Sequence, residues 1–248
     1  MEQLLRATAR AEERHFWFRG LRWFAMPLVR SALRGRTAPR ILDCGCGTGA
    51  NMEWLGGFGC ACGFDLSELG PRIARAAGRT AIARATVTAA PFPSGTFDLV
   101  TSFDVLYSLE ERDELAAARE LFRVLKPGGH AVINVAAMPM LTGDHSVLSH
   151  ERRRYTRSSL RLLLERAGFT VVRLTYTNAT LFLPLAMVRG FHRWRGLSTE
   201  AEAQQEIAVP VAAVNGTLSA LLALESLWLR AIDNPFGSSL LCLARKPA

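Results

Sequence analysis

The sequence predicts an α/β fold: a doubly wound, mostly parallel sheet of seven strands in which the last strand runs antiparallel. Three observations lead to this prediction. Short apolar runs alternate with helical stretches between residues 40 and 176, which is typical of right-handed β-α-β units. A turn with three glycines, CGCGTG at 44–49, directly follows the first apolar run. The tail GSSLLCLARKP at 237–247 has the pattern of a further strand after a helical region.

The predicted elements follow one another along the chain. Residues 2–34 carry apolar and aromatic side chains at spacings of three and four, which predicts a helical N-terminal segment. Strands are predicted at Arg40–Cys44, Cys60–Asp65, Thr80–Ala85, Phe97–Phe103, His130–Ala136 and Phe169–Tyr176. Helices are predicted at Ala50–Leu55, Glu68–Ala76 with Ser67 as N-cap, Glu111–Leu125 stopped by KPGG, and Ser158–Ala167.

These elements divide a single domain into four parts. Residues 1–36 form an N-terminal helical lid, 37–177 the core sheet, 178–236 a helical insertion or cap, and 237–248 the last strand. The stretch 207–232 is long enough to cross a bilayer, but Pro210, Asn215, Glu225 and Arg230 interrupt it. A packed cap or dimer helix is therefore favoured, and peripheral membrane contact stays open.

The composition limits the classes of function. The chain has 248 residues and a net charge of +8, and all of its 30 basic residues except Lys126 and Lys246 are arginines. A GC-rich genome explains this bias better than a polyanionic partner does, because the sequence shows no nucleic-acid-binding module. The five cysteines lack the spacing of a structural zinc site, so no metal is predicted. Free thiols and an N-terminus without a signal-peptide pattern predict a cytoplasmic protein.

The glycine turn predicts a nucleotide-like ligand. Gly45, Gly47 and Ala50 fit the pattern G-x-G-x-x-A, which allows a dinucleotide. Asp43 stands two residues before the first glycine, where a carboxylate favours a cationic ligand over a pyrophosphate. Asp65 ends the second strand, where it can accept hydrogen bonds from ribose hydroxyls. That role is common to NAD and S-adenosylmethionine sites, so Asp65 does not separate the two.

Four motifs in order give the chain a resemblance to a known family. ILDCGCGTGAN, GFDLSE, APFPSGTFDLV and ELFRVLKPGGHAVI lie between residues 40 and 136. Together they resemble the motifs of class I S-adenosylmethionine-dependent methyltransferases, specifically the type 11 or ubiquinone-biosynthesis-like group. The resemblance implies a Rossmann-like fold and S-adenosylmethionine as cofactor, with S-adenosylhomocysteine as product. The flanking segments EERHFWFRGLRWF and HERRRYTRSSLRLLLERAGF, together with the ending NPFGSSLLCLARKP, are similar to the same group more loosely.

The resemblance also implies a set of cofactor-binding residues. The methionine part would lie on the glycine turn with its ammonium near Asp43, the ribose on Asp65, and the adenine beside Leu66. The full implied set is Trp17, Arg22, Asp43, Gly45, Cys46, Gly47, Asn51, Asp65, Leu66, Thr86, Val87 and Phe103. Two positions depart from the family pattern. Thr86 stands where relatives often carry aspartate, and Tyr107 with Ser108 stands where they often carry Glu-His.

The acceptor side is predicted from loops that follow the later strands. Phe103 and Asp104 would line the site towards the substrate. His150, His145, Tyr107 and Tyr155 are the candidate general bases, because an ionisable side chain there could remove a proton from the acceptor. The run Arg152–Arg154 is more typical of a solvated surface than of an anion site.

The aromatic segment HFWFRGLRWF at 15–24 could act as a lid over the site, with Trp17 and Phe18 packed on it and Arg22 near a carboxylate. With the apolar insertion, this lid suits a small, hydrophobic or lipid-like acceptor.

Alternatives remain at this point. A nicotinamide-dependent oxidoreductase shares the glycine turn and Asp65. A non-catalytic cofactor-binding protein of the same fold is consistent with the departures at Thr86 and at Tyr107–Ser108. RNA methylation has only the positive charge in its favour, so nucleic acid is not a favoured partner. A homodimer through the helical insertion is also an open prediction.

Overall fold

The computed structural model describes residues 2–141, 151–195 and 209–248. A seven-stranded sheet forms its centre, with strand order β3-β2-β1-β4-β5-β7-β6. The strands are β1 Arg40–Cys44, β2 Cys60–Asp65, β3 Ile82–Arg84, β4 Phe97–Phe103, β5 Leu125–Ala136, β6 Thr170–Thr177 and β7 Ser239–Arg245. The α-helices in the described ranges are α1 Glu2–Ala11, α2 Phe16–Ala32, α3 Ala50–Gly56, α4 Leu69–Ala76, α5 Glu111–Val124, α6 Arg157–Arg166, α7 Phe182–Arg195 and α8 Ala212–Trp228.

The direction of the strands confirms the predicted fold class. The pairs β1–β2, β1–β4, β2–β3 and β4–β5 are parallel. Strand β7 lies between β5 and β6 and is antiparallel to both. Because the strand order reverses between β1 and β4, the carboxyl ends of these two strands border the crevice where doubly wound sheets bind ligands.

Side chains alternate between the two faces of the sheet and build a separate core on each. Leu42, Val100 and Ile133 belong to the core that contains α5 and α6. Their neighbours in sequence belong to the core that contains α2, α3 and α8, as Leu99 and Val132 illustrate. The central strand β4 is buried over its whole length, as expected for a strand covered on both sides.

Several predicted element boundaries differ from the structure by one or two residues, and two regions differ more. The N-terminal segment is not one helix, because it breaks between α1 and α2, where His15 caps α2 by accepting a hydrogen bond at Nδ1 from the Trp17 N–H. Helix α5 ends at Val124, just before KPGG. The KPGG segment itself belongs to β5, which begins at Leu125 and is therefore longer than predicted. Gly128 allows this extension, since it adopts φ +72° and its N–H donates to the Lys246 carbonyl.

The insertion packs through α8 against α2. A Cβ on Gly20 would lie 2.5 Å from Cδ1 of Leu222, so this glycine is needed for the close approach of the two helices. Glu225 of α8 is fully buried but does not lack partners. Its carboxylate accepts hydrogen bonds from the Ala179 N–H, the Thr180 N–H and hydroxyl, and the Asn234 amide. None of the helices in the described part of the chain combines the length and apolar character needed to cross a bilayer.

Candidate functional site

The glycine turn lies between β1 and α3 and is held by the neighbouring strand. The N–H groups of Gly45 and Cys46 both donate to the Phe64 carbonyl, at 2.8 and 3.0 Å. Gly45 has φ +75°, and a Cβ there would lie 2.3 Å from Cγ2 of Val105. Only glycine fits this position, because both the backbone conformation and the space exclude a side chain. The turn therefore contacts the segment that follows β4.

Asp43 is the last but one residue of β1, beneath this turn, and is buried. Its Oδ1 accepts a hydrogen bond of 2.7 Å from the Thr101 hydroxyl. Its Oδ2 has no hydrogen-bond partner among the described residues. Burial raises the pKa of Asp43 to about 7, and the nearby Asp65 carboxylate adds to this rise, while the Thr101 hydroxyl and the Asn51 side chain oppose it. A buried oxygen without a partner is costly unless a ligand supplies a donor, and a cation is the ligand that lowers this cost most.

Asp65 ends β2 and holds the glycine turn directly. Its Oδ2 accepts from the Gly47 N–H at 2.9 Å, and its Oδ1 accepts from the Ser67 N–H at 2.8 Å. Each carboxylate oxygen can accept a second hydrogen bond. Asp65 can thus shape the turn and still accept ribose hydroxyls, so the predicted role is compatible with its contacts.

The remaining predicted cofactor residues lie around the turn. Asn51 is in the first turn of α3, where its Oδ1 accepts from the Trp54 indole at 3.1 Å. Leu66 directly follows Asp65, and its side chain is 56% exposed, so it is accessible for an apolar contact with an adenine base. Thr86 uses its hydroxyl within its own turn, 2.9 Å from that of Thr88, and Val87 is buried beside it. The backbone around Val87 is thus a better candidate than the Thr86 hydroxyl for an adenine contact.

The N-terminal segment is held against the glycine turn by contacts that the sequence did not reveal. They join Glu12, Thr48 and Arg79 and are called the latch below. The Thr48 hydroxyl of the glycine turn donates to the carboxylate of Glu12, which follows α1. Arg79 completes the latch, with Nη1 3.1 Å from the Thr48 carbonyl and 3.7 Å from the Glu12 carboxylate. Burial raises the pKa of Glu12, while Thr48 and Arg79 oppose that rise. Arg22 donates to the Glu12 backbone carbonyl at 3.2 Å, so it supports the latch.

A small, partly open cavity of about 30 Å³ lies beside the carboxyl ends of β4 and β5. Its lining combines residues from the lid, the sheet and the insertion: Trp17, Asp104, Tyr107, Ala136, Glu151, Arg154, Leu185, Ser238 and Ser239. The cavity is next to the glycine turn, because Asp104 precedes the Val105 that touches Gly45. Trp17 and Tyr107 thus both line this cavity.

Asp104 is the most distinctive group in the cavity. It has φ +61°, which is uncommon for a residue with a side chain. Asn134 of β5 fixes both parts of it: the Asp104 N–H donates to the Asn134 carbonyl at 3.0 Å, and the Asn134 amide donates to Oδ1 at 2.8 Å. Burial raises the pKa of Asp104 to about 7, with Glu151 adding to the rise and the Asn134 hydrogen bond and Arg154 opposing it. Its proton is therefore exchangeable near neutral pH.

Arg154 is also buried in this cavity wall, where it pairs with Glu151. The Arg154 Nη2 lies 2.7 Å from the Glu151 carboxylate, and Nη1 donates to the Ala137 carbonyl at 2.9 Å. The other two arginines of the run pair outside the cavity, Arg153 with Glu114 at 2.6 Å and Arg152 with Glu110 at 3.8 Å. The expectation of a solvated surface is therefore wrong for Arg154, which is buried because an adjacent carboxylate pairs with it.

Other predicted acceptor residues are not brought to the cavity. Phe103 packs in the core that contains α2 and α3, where it stacks on Trp54 with ring centroids 6.4 Å apart. The Tyr155 hydroxyl donates to Glu114, and burial together with this carboxylate raises the pKa of Tyr155. His145 and His150 lie outside the described residues.

The cysteines are free thiols and do not form a cluster for metal binding. Burial raises the pKa of Cys44, Cys46 and Cys62, so these side chains stay protonated at neutral pH. No group of three His, Cys, Asp or Glu side chains within the described ranges could hold a metal ion.

Comparison with known proteins assigns the family. A family model described as "Methyltransferase domain" matches residues 12–174. The chain belongs to this methyltransferase family. It is 36% identical over 116 residues to the demethylmenaquinone methyltransferase of Lactococcus lactis, which covers 42% of this chain and 45% of that protein. It is 29% identical over 193 residues to the ubiquinone/menaquinone biosynthesis C-methyltransferase of Yersinia enterocolitica, covering 63% of this chain and 75% of that protein.

A solved structure agrees with this assignment at the level of the fold. The S-adenosylmethionine-dependent methyltransferase of Mesorhizobium loti superposes with a TM-score of 0.55 at 23% identity, covering 89% of this chain and 97% of that one. This methyltransferase chain therefore has the class I fold, and S-adenosylmethionine is the cofactor that family and fold indicate. The chain spans less than half the length of the Lactococcus relative.

The residues of the site fit that cofactor. S-adenosylmethionine carries an ammonium, and Oδ2 of Asp43 is a buried carboxylate oxygen without a partner among the described residues. The cofactor has a ribose diol, and Asp65 has free acceptor capacity at the end of β2. A pyrophosphate, as in a nicotinamide dinucleotide, would instead face the carboxylates of Asp43 and Asp65. The residues of this site therefore fit S-adenosylmethionine better than they fit a nicotinamide dinucleotide.

Proposed function

We propose that this protein transfers a methyl group from S-adenosylmethionine to a hydroxylated aromatic acceptor, with Asp104 removing the acceptor's proton. The observation that carries the proposal is the half-buried Asp104 carboxylate, which lines a cavity beside the glycine turn. When bound, S-adenosylmethionine supplies a methyl group that is already electrophilic. The protein must then position the acceptor, exclude water and remove a proton where the nucleophile needs it.

The chemistry of the cavity favours a ring hydroxyl as the group that is recognised. Trp17 and Tyr107 offer aromatic contacts, whereas Asp104 offers a fixed carboxylate held by Asn134. Loss of the hydroxyl proton to Asp104 raises the electron density on both the oxygen and the neighbouring ring carbon. Either atom can then form the new bond to the methyl carbon as the bond from the methyl carbon to the donor sulfur breaks. If the ring carbon attacks, it afterwards loses its own proton to water, which restores the aromatic ring, and the ring oxygen takes its proton back from Asp104.

The relatives are consistent with this acceptor class. One is named for demethylmenaquinone and another for C-methylation in ubiquinone and menaquinone biosynthesis, and reduced quinones are hydroxylated aromatic rings. The cavity of about 30 Å³ holds roughly one water molecule. An acceptor therefore requires Trp17 of the lid and Leu185 of α7 to move apart, after which the aromatic side chains can close over it.

The test is methyl transfer from a labelled donor to a reduced quinone and to the same compound with its hydroxyls capped as ethers. We expect product only from the uncapped compound. Asp104→Asn keeps the oxygen that accepts from Asn134 but cannot take a proton, so we expect kcat to fall by about 10²- to 10⁴-fold. In the unaltered protein kcat should rise with pH through about 7, because the ionised form is the active one.

The control for this variant is Asp113→Asn, which changes a carboxylate of α5 away from the cavity and should leave kcat unchanged. Binding of S-adenosylhomocysteine should be retained in Asp104→Asn. Equal methylation of the capped compound, or transfer only to small aliphatic acceptors, would contradict the proposal.

A further inference from the structure

A groove between α2 and α8 is separate from the methyl-transfer site. It has a volume of about 360 Å³, and its lining includes Trp23, Met26, Pro27, Arg30, Arg34 and Arg230. This set is called the basic groove below. Trp23, Met26 and Pro27 provide an apolar floor from α2, and two serines, Ser31 and Ser226, complete the lining.

The positive charge of the basic groove is not neutralised by acidic side chains in the described part of the chain. Arg30, Arg34 and Arg230 are exposed, and none of them forms an ion pair with a described acidic side chain. Other arginines do pair, such as Arg79 with Glu53 and Arg173 with Asp233. Guanidinium groups gathered at one groove repel one another unless an anion lies between them, and they bind phosphate oxygens well.

An apolar surface continues from the basic groove along α8. Ser226 and Arg230 face the groove, whereas Leu224, Leu227 and Trp228 are on the outer side of the same helix and are 56%, 54% and 39% exposed. The adjoining positions Gly216, Ala220 and Ala231 are also exposed and uncharged. Globular proteins rarely leave such a helix face without a partner.

We propose that the basic groove and the outer face of α8 dock on a membrane that contains anionic phospholipids. The arginines bind lipid phosphates at the headgroup level, and Leu224, Leu227 and Trp228 enter the boundary with the acyl chains. Trp23 and Trp228 suit this level, since tryptophan concentrates at the interface between headgroups and hydrocarbon. The overall charge of +8 adds attraction to an anionic surface. This docking does not depend on methyl transfer.

The test is flotation of the full chain with vesicles of phosphatidylcholine alone and of phosphatidylcholine with phosphatidylglycerol. We expect binding only to the anionic vesicles, weakening as salt is raised. The double variant Arg30→Gln/Arg34→Gln should lower the partition coefficient by about tenfold or more, because each basic residue near the surface contributes about 1 kcal/mol. Leu224→Ser/Leu227→Ser should lower binding without changing its dependence on salt.

The matched control is Arg119→Gln/Arg166→Gln, which removes two exposed charges from α5 and α6 on the other face of the sheet. It should bind as the unaltered protein does. All three variants should keep their binding of S-adenosylhomocysteine, which shows that they are folded. Equal loss in the control, binding to inorganic phosphate without binding to vesicles, or a stable dimer in solution that buries α8 would each overturn the proposal.

Discussion

At the scale of single residues, the proposed function gives different tasks to two carboxylates, Asp43, which is buried, and Asp104, which is half-buried. Asp43 is oriented by Thr101 and presents a free oxygen below the glycine turn. Asp104 is oriented by Asn134 and lines the small cavity. Burial raises the pKa of both to about 7, but only Asp43 is placed to pair with a cation on the cofactor. The two residues therefore separate cofactor binding from proton removal.

Asp43→Asn should weaken the binding of S-adenosylhomocysteine, because the ammonium of that ligand loses its buried partner. Removal of one member of such a pair costs about 2–5 kcal/mol, which is roughly 30-fold or more in affinity. Isothermal titration calorimetry measures this directly, with Asp113→Asn as the control. In the unaltered protein affinity should increase as pH rises through about 7, since Asp43 must lose its proton to pair. An affinity independent of pH between about 6 and 8 would count against this role.

At the scale of elements, the insertion is fixed by a carboxylate rather than by apolar contacts alone. Glu225 of α8 accepts hydrogen bonds from the segment that leads into α7 and from Asn234 before β7. This connects the two insertion helices to the edge of the sheet. Leu185 of α7 reaches the small cavity through the same arrangement.

Glu225→Gln should destabilise this connection strongly. One amide nitrogen would replace an oxygen that accepts from N–H groups, so a donor would face a donor in a fully buried position. We expect a loss of about 2–4 kcal/mol in the free energy of unfolding, measured by urea denaturation. Glu68→Gln, at a largely exposed glutamate of the same type, should change stability by less than about 0.5 kcal/mol. Equal stability of both variants would show that the Glu225 hydrogen bonds contribute nothing.

At the scale of the whole molecule, the site lowers the stability of the fold at neutral and alkaline pH. A carboxyl whose pKa is raised in the folded state keeps its proton there while the unfolded chain releases it. The contribution of Asp43 and Asp104 to stability is therefore greatest below about pH 4 and declines as pH rises towards about 7. Asp98 changes the pH dependence of stability in the opposite direction, because its pKa is lowered in the folded state. Burial opposes ionisation there, but hydrogen bonds from Lys126 and the Arg40 N–H hold its pKa below the usual value.

Asp43→Asn/Asp104→Asn should therefore unfold at a higher temperature than the unaltered protein at pH 8, by at least about 2–4 °C for each 1 kcal/mol gained. At pH 5 the difference should shrink, because both carboxyls are then protonated in the folded state. Asp98→Asn should lower the unfolding temperature at pH 8. Thermal unfolding at the two pH values checks both signs, and a gain at pH 5 as large as that at pH 8 would refute the assignment of the buried charges.

The sequence by itself determined the order of strands and helices along the chain, the position of the glycine turn and the family. It also singled out Asp43 and Asp65 as carboxylates at the ends of strands. It could do so because short-range patterns carry this information: alternation of apolar runs, glycines where φ is positive, and carboxylates at strand ends. The motif resemblance named the cofactor for the same reason, since its residues are close together along the chain.

Only the tertiary structure decided which distant groups meet. Glu12 accepts a hydrogen bond from Thr48, and Asp104 accepts one from Asn134. Arg154 forms an ion pair with Glu151, and Glu225 accepts a hydrogen bond from Thr180. No local pattern distinguishes these side chains from solvated ones, because their roles depend on burial and on partners many residues away. The same applies to the basic groove, which forms where α2 and α8 pack together. Burial raises the pKa of a carboxylate, and burial is a property of the packed chain.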